Sequence, residues 1–165
     1  MKEHKSDRLK FSDLELNDYQ FIIELLNTPG WLKFIGDRNV KSRGDAEAYI
    51  RKILDHAEYR YWVVRTIETL TPIGVVTLIK RDYLEHHDIG FAFLPGYAGN
   101  GYAYEASNYV MNEFLRDYRI LVATTVPDNI RSIRLLEKLG FKFDREIVHD
   151  YEKLLVYCRK INPVK

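Results

Sequence analysis

A strand that runs into a double-glycine turn and at once into a helix constrains this chain more than any other feature. Residues Asp88 to Ala106 read Asp-Ile-Gly-Phe-Ala-Phe-Leu-Pro-Gly-Tyr-Ala-Gly-Asn-Gly-Tyr-Ala-Tyr-Glu-Ala. The run Asp88–Leu94 has strand character and Pro95 stops it. A helical pattern begins near Tyr102, with Ala103, Ala106, Val110 and Phe114 on one face as far as about Asp117. Gly99 and Gly101 keep Cβ atoms out of the turn, so a ligand can approach the backbone N–H groups at the helix start. Those donors and the helix dipole favour a phosphate. The turn is not a Walker loop, because no Lys-Ser/Thr follows Gly101. It is not a dinucleotide fingerprint either, because Tyr104 stands where the third glycine belongs. Taken alone, it also fits a tight strand–helix connection with no ligand.

The remaining pattern alternates in the same way. Leu9, Phe11, Leu14 and Leu16 can form a first strand. Asn17 or Asp18 then caps a helix through about Asn27 that presents Phe21, Ile22, Leu25 and Leu26 on one face. Thr28-Pro29-Gly30 ends that helix, and Trp31 to Arg43 reads as irregular. A second helix is expected over about Asp45–Ala57, strands over Tyr61–Thr66 and Ile73–Ile79, and a polar turn over Arg81–His86. Ile120–Val126 reads as a further strand. Asn129–Leu139 reads as a helix capped by Asp128 and ended by Gly140, and Phe141–Val148 and Leu154–Tyr157 close the chain as strands. This order predicts an α/β architecture, a mixed sheet with helices on its faces.

Composition excludes several classes. The chain has 165 residues, 46% apolar and 30% charged, which is the size of one domain with its own core. The balance of 25 Lys+Arg against 24 Asp+Glu gives no global attraction to nucleic acid or anionic membrane. Cys158 is the sole cysteine, so an internal disulfide and a cysteine-only zinc site are impossible. His86 and His87 are adjacent, and on a strand they point to opposite faces, so no metal site is expected. Cys158 reads as core or interface. Residues 1–7 are expected to be a flexible charged leader and residues 8–163 a single domain. The start lacks an apolar signal region, and the most apolar stretch, Pro72–Ile79, is far shorter than a membrane span, so the expected location is cytoplasmic.

The glycine turn resembles the acyl-CoA pyrophosphate loop of the GNAT superfamily of N-acetyltransferases, in particular the RimJ/RimL-like branch. That branch reads roughly Pro-x-Tyr-x-Gly-x-Gly-Tyr-Ala-x-Glu-Ala, and this chain supplies Pro95, Tyr97, Gly99, Gly101, Tyr102, Ala103, Glu105 and Ala106 in register. Pro127-Asp-Asn129-Ile-Arg-Ser132 with Leu136, Lys138, Leu139, Gly140 and Phe141 is similar to the branch's second block. Pro72-Ile-Gly74 and Phe34-Ile-Gly-Asp-Arg38 match more weakly. The resemblance spans about residues 8–160, with its blocks in the family's order.

The resemblance implies a GNAT fold whose strands Asp88–Leu94 and Ile120–Val126 splay apart around acetyl-CoA. Backbone groups of Ala92, Phe93 and Leu94 would pair with the pantetheine arm. The turn Gly99, Asn100, Gly101, Tyr102 and Ala103 would hold the pyrophosphate. Asn129 would contact the cofactor arm, with Ser132 close to the thioester sulfur. Trp31, Phe34, Asp37 and Arg38 would wall the acceptor cleft. The reaction implied is direct attack of a primary amine, on a protein N-terminus or a small molecule, on the thioester. Many relatives place a tyrosine acid seven residues after the motif asparagine. Leu136 stands there, which shifts proton donation to Ser132. Many also carry Gln or Arg three residues before the first turn glycine, where Gly96 stands. Asp88 is the candidate base; Glu105, in the first helical turn, reads as an acid that favours the helix N-terminus. No metal is expected, and a homodimer is possible. The alternative is a non-catalytic acyl-CoA sensor or interaction module on the same fold.

Overall fold

A computed structural model describes residues 2–161. Eight strands form one mixed sheet. They are β1 (His4–Lys5), β2 (Leu9–Asp13), β3 (Tyr59–Thr66), β4 (Pro72–Ile79), β5 (Asp88–Phe93), β6 (Ile120–Thr125), β7 (Lys142–His149) and β8 (Glu152–Lys160). Their order across the sheet is β1-β2-β3-β4-β5-β6-β8-β7, and every neighbouring pair is antiparallel except β5–β6. The helices are α1 (Tyr19–Leu26), α2 (Pro29–Phe34), α3 (Arg43–Leu54), α4 (Tyr102–Glu113) and α5 (Ile130–Lys138).

Strand alternation supplies a core on each face of the sheet. Trp62 and Val64 of β3, with Val76 and Leu78 of β4, meet Val110 and Met111 of α4 and Leu136 of α5. Val63 and Val75, one residue out of step, meet Phe21, Ile22 and Leu25 of α1 and Ile50 of α3. The four α1 residues expected on one face are all buried.

Several expectations change. The Trp31–Arg43 segment is not irregular throughout, because Pro29–Phe34 forms α2. The Thr28 hydroxyl accepts the Trp31 N–H, and Pro29 occupies the first helical position, where its missing N–H is no loss. Thr28-Pro29 therefore both ends α1 and starts α2. The N-cap of α5 is Asn129 rather than Asp128, its side chain accepting the Ser132 N–H at 3.3 Å. Helix α4 ends at Glu113, short of Asp117, with Phe114 and Leu115 both donating to the Val110 carbonyl. The expected leader is docked from His4 onward. His4 and Lys5 pair with Phe11 and Lys10, and the His4 ring lies 4.6 Å from Phe114. Its charge hid this, since an edge strand needs only one apolar face. The expected boundary at 163 lies outside the described residues.

Candidate active site

Strands β5 and β6 are neighbours, but they pair at one position, Asp88 opposite Val122, with the Val122 N–H donating to the His87 carbonyl at 3.0 Å. Beyond this point the strands part. The parity of the antiparallel β4–β5 ladder decides which β5 groups face the gap. The Leu94 N–H donates to the Ile73 carbonyl at 2.8 Å, and the register stays unbroken back to Asp88 opposite Ile79. Leu94, Ala92 and Gly90 are therefore bonded to β4, and the backbone groups of Phe91 and Phe93 point into the gap. Of the three residues expected to meet a pantetheine arm, Phe93 turns its backbone groups to the gap, whereas Ala92 and Leu94 turn theirs to β4; Phe91 shares the orientation of Phe93. Counting strand parity from one known bond is the signal that finds it.

Side chains meet across the two strands where they part. Asp88 is 4% exposed, and its Oδ2 accepts from Arg81 Nε at 2.6 Å and from the Thr124 hydroxyl at 3.3 Å. The Asp88 side chain therefore ties β5 to β6 at Thr124, just past their one registered pair. Burial pushes the Asp88 carboxyl pKa above the ordinary aspartate range, with the Arg81 guanidinium pulling the other way. Arg81, taken from the sequence as part of a polar turn, is the counter-charge that a buried acid requires.

A cleft of about 400 Å³ opens at the fork. It brings together Asp88, Ala92, Asn129 and Ser132 with Trp31, Phe34 and Arg38 of the expected acceptor wall. Asp37 does not line it. Its carboxylate accepts the Asn39 N–H at 2.8 Å and lies 3.7 Å from Lys41. The cleft also contains Tyr49, Tyr61 and Tyr83, which sequence reasoning did not single out. Burial raises the phenol pKa of Tyr49 and Tyr61, so both are neutral hydrogen-bond donors at physiological pH. His149, Asp150 and Glu152 reach the rim from the β7–β8 turn, and the His149 ring stacks on Tyr83 at 3.7 Å. Leu136 also lines the cleft and is 1% exposed, so the helix position of the missing tyrosine acid is filled by core packing.

The glycine turn lies outside this cleft, at the start of α4. Gly99 and Gly101 have φ of 79° and 78°, a left-handed region that side chains rarely tolerate. No N–H group from Gly99 to Tyr104 has a hydrogen-bond partner among the described residues, and the N-cap Gly101 brings no side chain to satisfy them. Asn100, Tyr102 and Ala103 complete this cradle of donors, which suits a phosphate. Glu105 faces away from the chemistry, paired with Arg8 at 2.7 Å.

No cluster of three or more His, Cys, Asp or Glu side chains among the described residues is placed to hold a metal. His87 instead lies 3.4 Å from Glu58 and edge-on to Tyr118. Cys158 is half-buried beside Val122, Val156 and Leu84, and burial pushes its thiol pKa up.

Comparison with known proteins agrees with this arrangement. The family described as "Acetyltransferase (GNAT) domain" matches residues 8–142. The uncharacterized N-acetyltransferase YnaD of Bacillus subtilis is 29% identical over 138 residues, covering 82% of this chain and 79% of YnaD. Ribosomal-protein-S5-alanine acetyltransferase from Vibrio fischeri shares the fold with a TM-score of 0.81 at 17% identity over the full length of both chains. Spermidine N-acetyltransferase from Vibrio cholerae, solved with CoA and spermine, does so with a TM-score of 0.80 at 20% identity, over 96% of this chain and 98% of that one. The forked sheet, the glycine cradle and the family match together make this chain a member of the GNAT family, an acetyl-CoA-dependent N-acetyltransferase.

Proposed function

We propose that the chain moves the acetyl group of acetyl-CoA to a primary amine by direct attack at the β5–β6 fork, and that its branch is RimJ/RimL-like. The observation that carries the reading is the convergence of three groups on one fork: the unpaired Phe91 and Phe93 backbone, Ser132, and Asp88. The pantetheine arm would add to the open edge of β5 as a strand does, and its pyrophosphate would sit on the Gly99–Tyr104 amides. Asn129 uses its Oδ1 to cap α5, which leaves its side-chain NH₂ for the cofactor arm.

In this reading the amine loses a proton to Asp88, directly or through one water, and its nitrogen attacks the thioester carbonyl. The carbonyl oxygen gains charge and is met by a backbone N–H of β5, in the manner of an oxyanion donor. The C–S bond breaks, the Ser132 hydroxyl gives its proton to the leaving thiolate, and the serine takes back the proton that the attacking nitrogen sheds as it becomes an amide. An acid or base so placed contributes on the order of 10²–10⁴ in rate.

The cleft favours an amine with one ammonium group and an apolar or aromatic body over a polyamine. Asp88 is neutralised by Arg81 and Asp37 lies elsewhere, which leaves Asp150 and Glu152 at the rim. Trp31, Phe34, Tyr49 and Tyr61 supply the apolar wall. Protein N-termini and small aromatic amines both fit. The proposal includes a cytoplasmic location and a homodimer through the open edge of β7, where Phe143 is 55% exposed; among the described residues no helix is long and apolar enough to cross a membrane. No nucleic acid or membrane partner is part of it.

Leu136 in the tyrosine position favours the second reading, a non-catalytic acyl-CoA sensor. Calorimetric titration with acetyl-CoA, desulfo-CoA and ATP, followed by a free-thiol assay over peptide, polyamine and aromatic amines, separates the two. Micromolar acetyl-CoA binding with turnover supports the enzyme. Binding without turnover on any amine supports the sensor, and no binding ends both.

A further inference from the structure

We infer that Arg8, at the head of β2, is a phosphate-contacting residue of the acetyl-CoA site, an assignment that rests on the acetyltransferase reading. Arg8 reaches the glycine turn across more than ninety residues of sequence. Its Nε donates to Glu105 Oε2 at 2.7 Å, and its backbone N–H donates to Glu105 Oε1 at 2.9 Å. Its Nη1 donates to the Asn100 carbonyl at 2.9 Å, inside the turn. The guanidinium lies 4.4 Å above the Tyr102 ring, which fixes its plane. The Ser6 hydroxyl completes the set, donating to Glu105 Oε1 at 2.6 Å.

These contacts leave Nη2 without a partner among the described residues. It lies 3.5 Å from the point where a Cβ on Gly101 would stand, so it borders the turn directly. A planar, charged donor fork, held on two sides and free on the third, matches a phosphate oxygen better than any other ligand of this site. Gly96 brings no side chain to the turn, and Arg8 brings one from a different strand.

Charge balance requires the same residue. Glu105 stands in the first turn of α4, next to the amides that would hold the pyrophosphate. Burial alone would raise its pKa, but the hydrogen bonds from Ser6 and Arg8 outweigh burial and lower it, so the carboxylate is ionised at neutral pH. An ionised carboxylate there repels a phosphate unless a cation lies between them. Arg8 neutralises it and presents its remaining donors outward.

The test is calorimetric titration of wild type and Arg8→Gln with CoA, dephospho-CoA and ATP, beside turnover with acetyl-CoA and with acetyl-pantetheine, which carries no phosphate. The expected result is a loss of about tenfold in affinity for both CoA and dephospho-CoA. The KM for acetyl-CoA rises accordingly, and the change with acetyl-pantetheine stays within about twofold. Glu105→Gln is expected to lose less than Arg8→Gln, and the double variant to recover part of the Arg8→Gln loss. An equal loss with acetyl-pantetheine would make Arg8 a mere clamp of the fold and overturn the proposal. A loss confined to CoA, absent with dephospho-CoA, would move the contact to the 3′-phosphate and overturn the pyrophosphate assignment. Unchanged CoA affinity in Arg8→Gln would overturn the proposal alone, whereas a wild type that binds no CoA would overturn the acetyltransferase reading beneath it.

Discussion

Ser132 and Asp88 do different work and fail in different ways. Ser132→Ala removes the proton donor and leaves the Asn129 cap in place, because the cap uses the Ser132 backbone. Its kcat is expected to fall about 10²-fold or more with little change in the KM for acetyl-CoA, checked by steady-state kinetics. Asp88 must be deprotonated to act as a base, and burial raises its pKa while Arg81 lowers it. The acid limb of the pH–rate profile should therefore lie above the value of an exposed aspartate. Arg81→Gln removes the opposing charge and is expected to move that limb to still higher pH; an Asp88→Asn variant with an unchanged profile would dismiss Asp88 as the base. Glu105 has the opposite sign. Its pKa is lowered on folding, so its contribution to stability is complete above the ordinary value of 4.5 and fades as pH falls through its folded pKa. Glu105→Gln should flatten that part of the acid-unfolding curve. At this scale the sequence was a good guide to residue type and a poor one to partnership. Gly99 and Gly101 adopt the positive φ that glycine permits and Ser132 lines the cleft, whereas Arg81, seven positions before Asp88 and on the far side of a turn, gains its meaning only once the chain has folded.

The elements were legible wherever local chemistry spoke with one voice. Strands of β-branched residues, the apolar face of α1 and the glycine end of α5 all follow from spacing alone. Helix α2 was missed because Thr28-Pro29 carries two meanings, stop and start. The fork was expected from the family resemblance alone, since nothing in the spacing of β5 or β6 marks where their pairing stops. The β4–β5 pair that supports the fork is tightly fitted. A Cβ on Gly74 would lie 2.3 Å from the Phe93 ring, so Gly74→Ala must displace that ring. The expected cost is roughly 1–3 kcal/mol in stability together with weaker acetyl-CoA binding, read by denaturant unfolding and calorimetry. The β7–β8 turn is strained in another way. Asp150 and Tyr151 both have positive φ, at 48° and 64°, where turns of this kind usually place glycine. Tyr151 is fully exposed and makes no packing contribution there. Tyr151→Gly is therefore expected to stabilise the hairpin by up to about 1 kcal/mol, measured by equilibrium unfolding.

For the molecule as a whole, the fork divides the sheet into a five-strand half and a three-strand half. They share one registered backbone pair, the Asp88–Thr124 contact, and the helices packed across them. A cofactor arm laid along β5 would join the halves. Acetyl-CoA at about a hundred times its dissociation constant should add about 2.7 kcal/mol to stability. The gain should appear as slower amide exchange in β6 and β8 more than in β2 and β3. Uniform protection across all strands would show that the halves already behave as one unit.

The open edge of β5 has a cost that begins before any substrate arrives. Most proteins keep unpaired strands at the margin of a sheet and guard them with charge or brevity; this chain carries one at its centre, flanked by Phe91 and Phe93. The groups that would accept a pantetheine amide would accept the backbone of another chain equally well. Protein handled without CoA should self-associate through this edge on storage, and CoA added during purification should keep it dispersed, so that the donor substrate also guards solubility.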